Sequence, residues 1–240
     1  MSVKAKIAAG AATFALAGGG LGLAGTLTAS AATPSCGTNC TQLFAHKYGP
    51  KYVGDVYQAR AAAGQPVILF QTSNSDQAED FTVSFLGSVN SFYRHYGLVS
   101  PAFAHSYGDL PVVEIEYSPY GLSSNFCLST APGMAAVSGG KVSLEACGQY
   151  SSSLFAADFR DGVRDRRSEV GGDIPLISGA TNSFSNPEVL TYPAGNPTDM
   201  PRPQLEVEPQ SSYSGGAKFD SQLWGFQGSP VHGSIPAPPP

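Results

Sequence analysis

Charge is scarce in this chain of 240 residues: only 13% are Asp, Glu, Lys or Arg. Tryptophan occurs once, and histidine and cysteine four times each. Each shortage removes a class of function. The histidines (His46, His95, His105, His232) are scattered, and none stands at ligand spacing from a cysteine, so no metal centre is expected. Neither Gly87-Ser88 nor Gly139-Gly140 is followed by Gly-Lys-Ser/Thr, so neither is a phosphate loop. No strand–Gly-x-Ser-x-Gly–helix elbow appears. Glu79 and Asp80 are adjacent in an expected strand and point to opposite faces, which is wrong for two facing acids. Glu114 and Glu116 share a face, but Val113 and Ile115 fill the other, which marks the solvated side of a half-buried strand. No catalytic residue and no cofactor are expected: the chain displays no enzyme.

Positive charge is the scarcer sign, with 13 Lys and Arg against 18 Asp and Glu. Two of the lysines, Lys4 and Lys6, open the chain, so residues 32–240 hold 11 basic and 18 acidic groups, net −7. Nucleic acid and anionic membrane surfaces are therefore poor partners. No long apolar run follows residue 27, so no membrane partner is expected once the leader is gone.

What is present begins with that leader. Lys4 and Lys6 precede an uncharged run from Ile7 to Leu27, and Ala29-Ser30-Ala31 is a small-x-small cleavage site, the pattern of a secretory signal peptide. The expected layout is a signal peptide over 1–31, an N-terminal segment over 32–41, one domain over 42–228, and a Pro-rich disordered tail over 229–240. The protein is expected to be secreted, extracellular and monomeric. Four cysteines suit an oxidising compartment. Cys36/Cys40 and Cys127/Cys147 form the simplest of three connectivities.

The 28 glycines and 19 prolines fit a turn-rich β protein. Val67–Phe70, Phe81–Phe85, Val112–Tyr117, Val142–Cys147 and Gln204–Glu208 read as strands, the last three alternating apolar and polar. Helical periodicity is weak, with Asp55–Ala63 and Val89–Tyr96 as the candidates. A repeat organises the rest. Tyr52–Tyr57, Gly64–Phe70 and Glu79–Phe81 align with Phe126–Thr130, Gly140–Cys147 and Ser153–Phe155, and with Glu188–Tyr192, Pro203–Glu208 and Gln222–Trp224. A further β run precedes each copy: Gln42–Phe44, Val112–Tyr117 and Ile174–Ile177. Three four-strand units predict an all-β, β-trefoil-like barrel with an inserted loop; a β-sandwich is the alternative. Phe81, Phe155 and Trp224 open the fourth strands and are expected in the core.

The units resemble the ricin-type β-trefoil lectin repeat. Cys127-Leu-Ser followed by Val142–Cys147 is similar to the family's disulfide-closed strand pair, and Gln222-Leu-Trp224 to its Gln-x-Trp signature. Glu79-Asp-Phe81 and Ser153-Leu-Phe155 are degenerate versions. The chain also resembles secreted actinobacterial proteins. The resemblance implies a non-enzymatic binding protein whose ligand is an extracellular glycan. Residue by residue it points to Asp55 as hydrogen-bond acceptor and Phe70 as stacking platform, because sugars present hydroxyl rims and apolar faces. The family's Asn position falls at Ala78, which leaves Asn74, Asp76 or Gln77 to substitute. Ser129 and Glu145 replace the pair in the second unit, Thr191 and Glu208 (or Glu206) in the third.

Two segments depart from the repeat. Leu86–Leu110 is an aromatic insertion (Phe92, Tyr93, Tyr96, Phe103, Tyr107, with His95 and His105). It is either a loop closing the barrel's open end or a surface for a protein partner, as in an inhibitor-like interaction module. Residues 158–167 mix charges and are expected to be solvated.

Overall fold

Short apolar runs, some continuous and some alternating with polar residues, build twelve strands in three groups of four. The computed structural model describes residues 40–73, 76–130, 134–193, 197–198, 200–212, 216–228 and 231–233. The first unit is β1 (Gln42–Ala45), β2 (Tyr52–Val56), β3 (Val67–Gln71) and β4 (Phe81–Ser88). Two helices follow, α1 (Val89–Tyr96) and α2 (Pro101–Tyr107). The second unit is β5 (Pro111–Tyr117), β6 (Phe126–Ser129), β7 (Ser143–Ala146) and β8 (Leu154–Ala157). A small hairpin, β9 (Val163–Arg164) and β10 (Gly172–Asp173), leads to the third: β11 (Leu176–Ser178), β12 (Glu188–Thr191), β13 (Glu206–Pro209) and β14 (Trp224–Gln227).

First and fourth strands close the barrel. Between units, β4 pairs with β5, β8 with β11, and β14 returns to β1, all antiparallel. Within units the contacts are Thr41–Phe81, Val113–Phe155 and Ile174–Trp224. This circuit has no free ends, so the fold is the trefoil-like barrel and not the sandwich. Second and third strands form hairpins, β2–β3, β6–β7 and β12–β13. The hairpins meet in a ring of backbone hydrogen bonds. Val67 N–H donates to Val142 O (3.2 Å), Val142 N–H to Leu205 O (2.8 Å), and Leu205 N–H to Val67 O (2.8 Å). These residues surround a pseudo-threefold axis and occupy equivalent positions.

The barrel core holds Phe81, Phe155 and Trp224 together with Leu43, Ile115 and Leu176. The Trp224 indole N–H donates to Leu190 O at 2.8 Å, which satisfies the one polar atom of that ring.

The insertion is helical, not a loop. Ser88 and Ser100 cap the two helices, their hydroxyls accepting from Ser91 N–H and Phe103 N–H, and Pro101 takes the first turn of α2. Gly97 ends α1 at φ 65°, in the left-handed region. The insertion does not close the barrel end. Phe92, Phe103 and Tyr107 are buried against Val112, Leu154, Ala156, Ile177 and Val189, on the outer face of the barrel wall. Strand alternation explains this, since Val113 and Phe155 face the interior while their neighbours Val112 and Ala156 face out. Tyr96 remains exposed.

Other expectations also change. Asp55–Ala63 is no helix: Asp55 and Val56 end β2, and Gln58 and Ala59 both take positive φ (61° and 50°). Glu79 and Asp80 lie in the turn before β4, both buried, and not in a strand. Val231–His232, inside the expected tail, form β15 and pair in parallel with β4, covering its edge; residues 229–230 and 234–240 lie outside the described residues. Of residues 158–167, Arg160, Asp161, Arg164, Arg166 and Arg167 are exposed as expected, but Asp158 is buried and receives the Arg160 guanidinium at 2.9 and 3.0 Å. Cys127 and Cys147 form a disulfide that joins the ends of the β6–β7 hairpin. Cys40 is also disulfide-bonded, and Cys36 lies outside the described residues. No described helix is long and apolar enough to cross a membrane.

Candidate functional site

Asp55 and Phe70 come together. Asp55 stands opposite Ile68 in the β2–β3 register, and Phe70 is two residues further along the same face. The other face of β2 belongs to the core, where Gly54 sits against Leu43 and Phe81. A cavity of about 210 Å³ opens above the outward face, lined by Asp55, Tyr57, Phe70, Asp76, Ala78 and Arg202, among others. The left-handed Gln58 and Ala59 form part of its rim.

Asp55 is only 5% exposed, and no described group hydrogen-bonds its carboxylate. Burial, then the charges of Asp76 and Glu79, push it up to about 7, against the lowering influence of Arg202. Asp76 caps the next turn, accepting from Ala78 N–H at 2.9 Å. Gln77 is half-buried in that turn and does not line the cavity. Asn74 lies outside the described residues. Arg202 arrives from the third unit, held by the neighbouring Leu69 N–H to Pro203 O bond (3.2 Å). Its guanidinium lies over the Phe70 ring, 3.6 Å from the centroid. The expected stacking platform therefore has one face covered.

The axis positions settle which residues replace this pair elsewhere. The hairpin registers equate Asp55 with Ser129 and Thr191, and Phe70 with Glu145 and Glu208, not Glu206. Neither copy has a carboxylate beside an aromatic ring.

The same equivalence explains the degenerate signatures. In the intact one, Gln222 is buried, accepts from Ser211 N–H at 2.7 Å and donates to Pro209 O at 3.0 Å. Glu79 occupies that position in the first unit. It accepts from Ser73 N–H (2.7 Å), Thr72 Oγ1 (2.8 Å) and Gln42 Nε2 (2.7 Å). Burial still holds Glu79 above the usual carboxylate range. In the second unit Ser153 is too short, and its buried hydroxyl has no partner among the described residues.

Sequence reasoning missed a second constellation. His46, just beyond β1, places Nδ1 2.6 Å from Oδ2 of the fully buried Asp173. Asp165 stands beside them, its carboxylate held by Arg167 Nε at 2.9 Å and pulled down to about 2. Burial pushes Asp173 up to about 6, and the hydrogen bond to Asp173 raises His46. The ligand atoms of His46, Asp165 and Asp173 lie within 4.8 Å of one another. Two ligands of one ion stand about 3 Å apart or more, so the shorter His46–Asp173 distance marks a direct charge-assisted hydrogen bond. The chemistry is that of a charge network tying β1 to β10. No signal in the sequence links residues so far apart.

A wider recess, about 390 Å³, lies beside the α1–α2 turn, lined by Leu98, Ser100, Met134, Tyr150, Thr181 and Asn182, among others.

No protein-family model and no curated protein matches the sequence. Solved structures do. The designed threefold-symmetric protein ThreeFoil is 15% identical, with a TM-score of 0.50, covering 78% of this chain and 97% of its own. A mosquitocidal holotoxin is 10% identical at a TM-score of 0.49; the match covers 79% of this chain but only 17% of the toxin. The botulinum neurotoxin serotype D binding domain is 12% identical at 0.42, with 80% and 41% covered. At such identities the ThreeFoil likeness is one of fold, and it agrees with the threefold ring of hairpins: the chain is a trefoil-like barrel.

Proposed function

We propose that the chain is an exported binding protein that captures an extracellular glycan in the first-unit cavity, without chemical change to it. The observation that carries this reading is Asp55. An isolated buried carboxylate is costly, and this one faces an open cavity beside an aromatic ring with no hydrogen-bond donor among the described residues. A sugar supplies what is missing: hydroxyl donors for the carboxylate and apolar C–H groups for the ring. Asp76 at the rim adds a second acceptor. The second and third units lack the pair, so the protein is monovalent. The leader pattern and the disulfide favour export.

A second reading has its own support. The recess beside α1–α2 has Met134 and Tyr150 exposed in its wall, features of a protein-docking surface.

The test is a glycan array probed with the exported chain and with an Asp55→Ala/Phe70→Ala variant. Binding by the parent and its loss in a variant with unchanged circular dichroism supports the site. Absence of binding by folded parent protein overturns the glycan reading and moves the search to protein partners of the recess.

A further inference from the structure

Two acidic groups, Asp55 and Asp76, line the first-unit cavity, and Glu79 stands close enough to raise Asp55. Among the described residues, the one cation in its wall is Arg202. That cation is loosely held: among the described residues no hydrogen bond or ion pair fixes the Arg202 guanidinium, and its close contact is the face of Phe70. Such a contact is weak where water reaches it, about 0.5–1 kcal/mol. The free protein thus keeps a positive charge on its aromatic face, near enough to act on the charge of the buried Asp55, by an interaction that a ligand can replace.

We propose that the cavity selects a sugar unit carrying a free protonated amino group, and that Arg202 holds this cation position until the ligand displaces it. The proposal rests on the glycan reading and names the sugar class. A neutral sugar offers Asp55 hydroxyl donors but leaves the cavity's excess negative charge uncompensated. An ammonium group does both, donating to Asp55 and lying against the negative face of the Phe70 ring. An anionic sugar meets Asp55 and Asp76 as like charges. The acidic balance of the exported chain draws a cationic ligand from a distance.

The experiment is titration calorimetry of the exported chain with β-1,4-linked glucosamine oligomers and with their fully N-acetylated counterparts. These differ chiefly in whether the amine is free. The expected result is at least tenfold tighter binding of the free-amine oligomer, with an affinity that falls as salt rises. Arg202→Ala and Arg202→Met should each tighten amine binding several-fold, since the internal competitor is gone. Asp55→Asn should remove the preference. Equal affinity for both oligomers, a preference for the acetylated one, or weaker amine binding in both Arg202 variants overturns the proposal. If neutral glycans still bind through Asp55 and Phe70, only this proposal has failed. If no glycan binds the folded protein, the glycan reading has failed with it.

Discussion

Glu79, Ser153 and Gln222 occupy one position in three units and treat it three ways. The position secures the loop after the third strand by accepting a backbone N–H, from Ser73 in the first unit and Ser211 in the third. Removing a buried acceptor strands its donors. Glu79→Ala should therefore cost roughly 2–3 kcal/mol, while Glu79→Gln should cost less, keeping the acceptor for Ser73 N–H and shedding a buried charge but turning an amide NH2 toward Thr72 Oγ1 and Gln42 Nε2. Urea denaturation of the two variants checks this, and an Ala variant as stable as the parent would show that the loop does not need the bond. Gln222-Leu-Trp224 was legible because the intact signature is specific. Glu79 was legible as a degenerate copy of that position, but its burial was not, because a glutamate reads as a surface residue until the fold encloses it. Asp55 was legible as a position by its spacing in the repeat. That it is buried with no partner among the described residues, and that Arg202 lies over Phe70, are facts of three-dimensional proximity between distant units.

At the scale of elements, β14 crosses the most crowded ground. A Cβ at Gly225 would collide with the Phe44 ring and an Asp173 carboxylate oxygen. Overpacking of this kind typically costs about 1–3 kcal/mol. Gly225→Ala should reach at least the upper part of that range, because it also disturbs the His46–Asp173 pair. A melting temperature within a degree of the parent's would contradict the geometry. Strands such as β5 and β13 were legible because alternation has a period of two and one face is the more buried, and strands such as β3 and β4 because short apolar runs stand between turn residues. Helix α1 was visible as a short candidate. Helix α2 was not: its seven residues make two turns, too few to display a period. The side of the barrel that the insertion covers depends on the outward residues Val112, Ala156 and Ile177, which in sequence look like more core.

For the molecule as a whole, buried carboxylates set the response to pH. Burial pushes Asp55 up to about 7, and Asp80 and Asp173 up to about 6, and it also raises Glu79, Glu114 and Asp161. A raised carboxylate binds its proton more tightly folded than unfolded. Stability then falls as pH rises from the unfolded value near 4 through the folded values of 6 to 7. The raised His46 acts in the same direction: its stabilisation is complete below its unfolded value and lost as pH rises through the folded one. Asp165, held down to about 2, acts oppositely, and its contribution disappears only in strong acid. Melting temperature should therefore peak near pH 4–5 and decline toward pH 8. Asp55→Asn should flatten the decline, by on the order of 3 kcal/mol at the alkaline end. A melting temperature that rises from pH 5 to pH 8 would show these carboxylates to be solvated.

The pairing of β14 with β1 has a consequence in time. The last long strand completes the wall that the first one begins, and Trp224 enters the core with it. Until residues 224–227 have emerged, β1 offers an unmated edge and the barrel has a gap. Under the export proposed above, a chain still being threaded through a translocation channel cannot finish the barrel and lodge there. In that proposal it becomes a folded object only once its closing strand, β14, has been released.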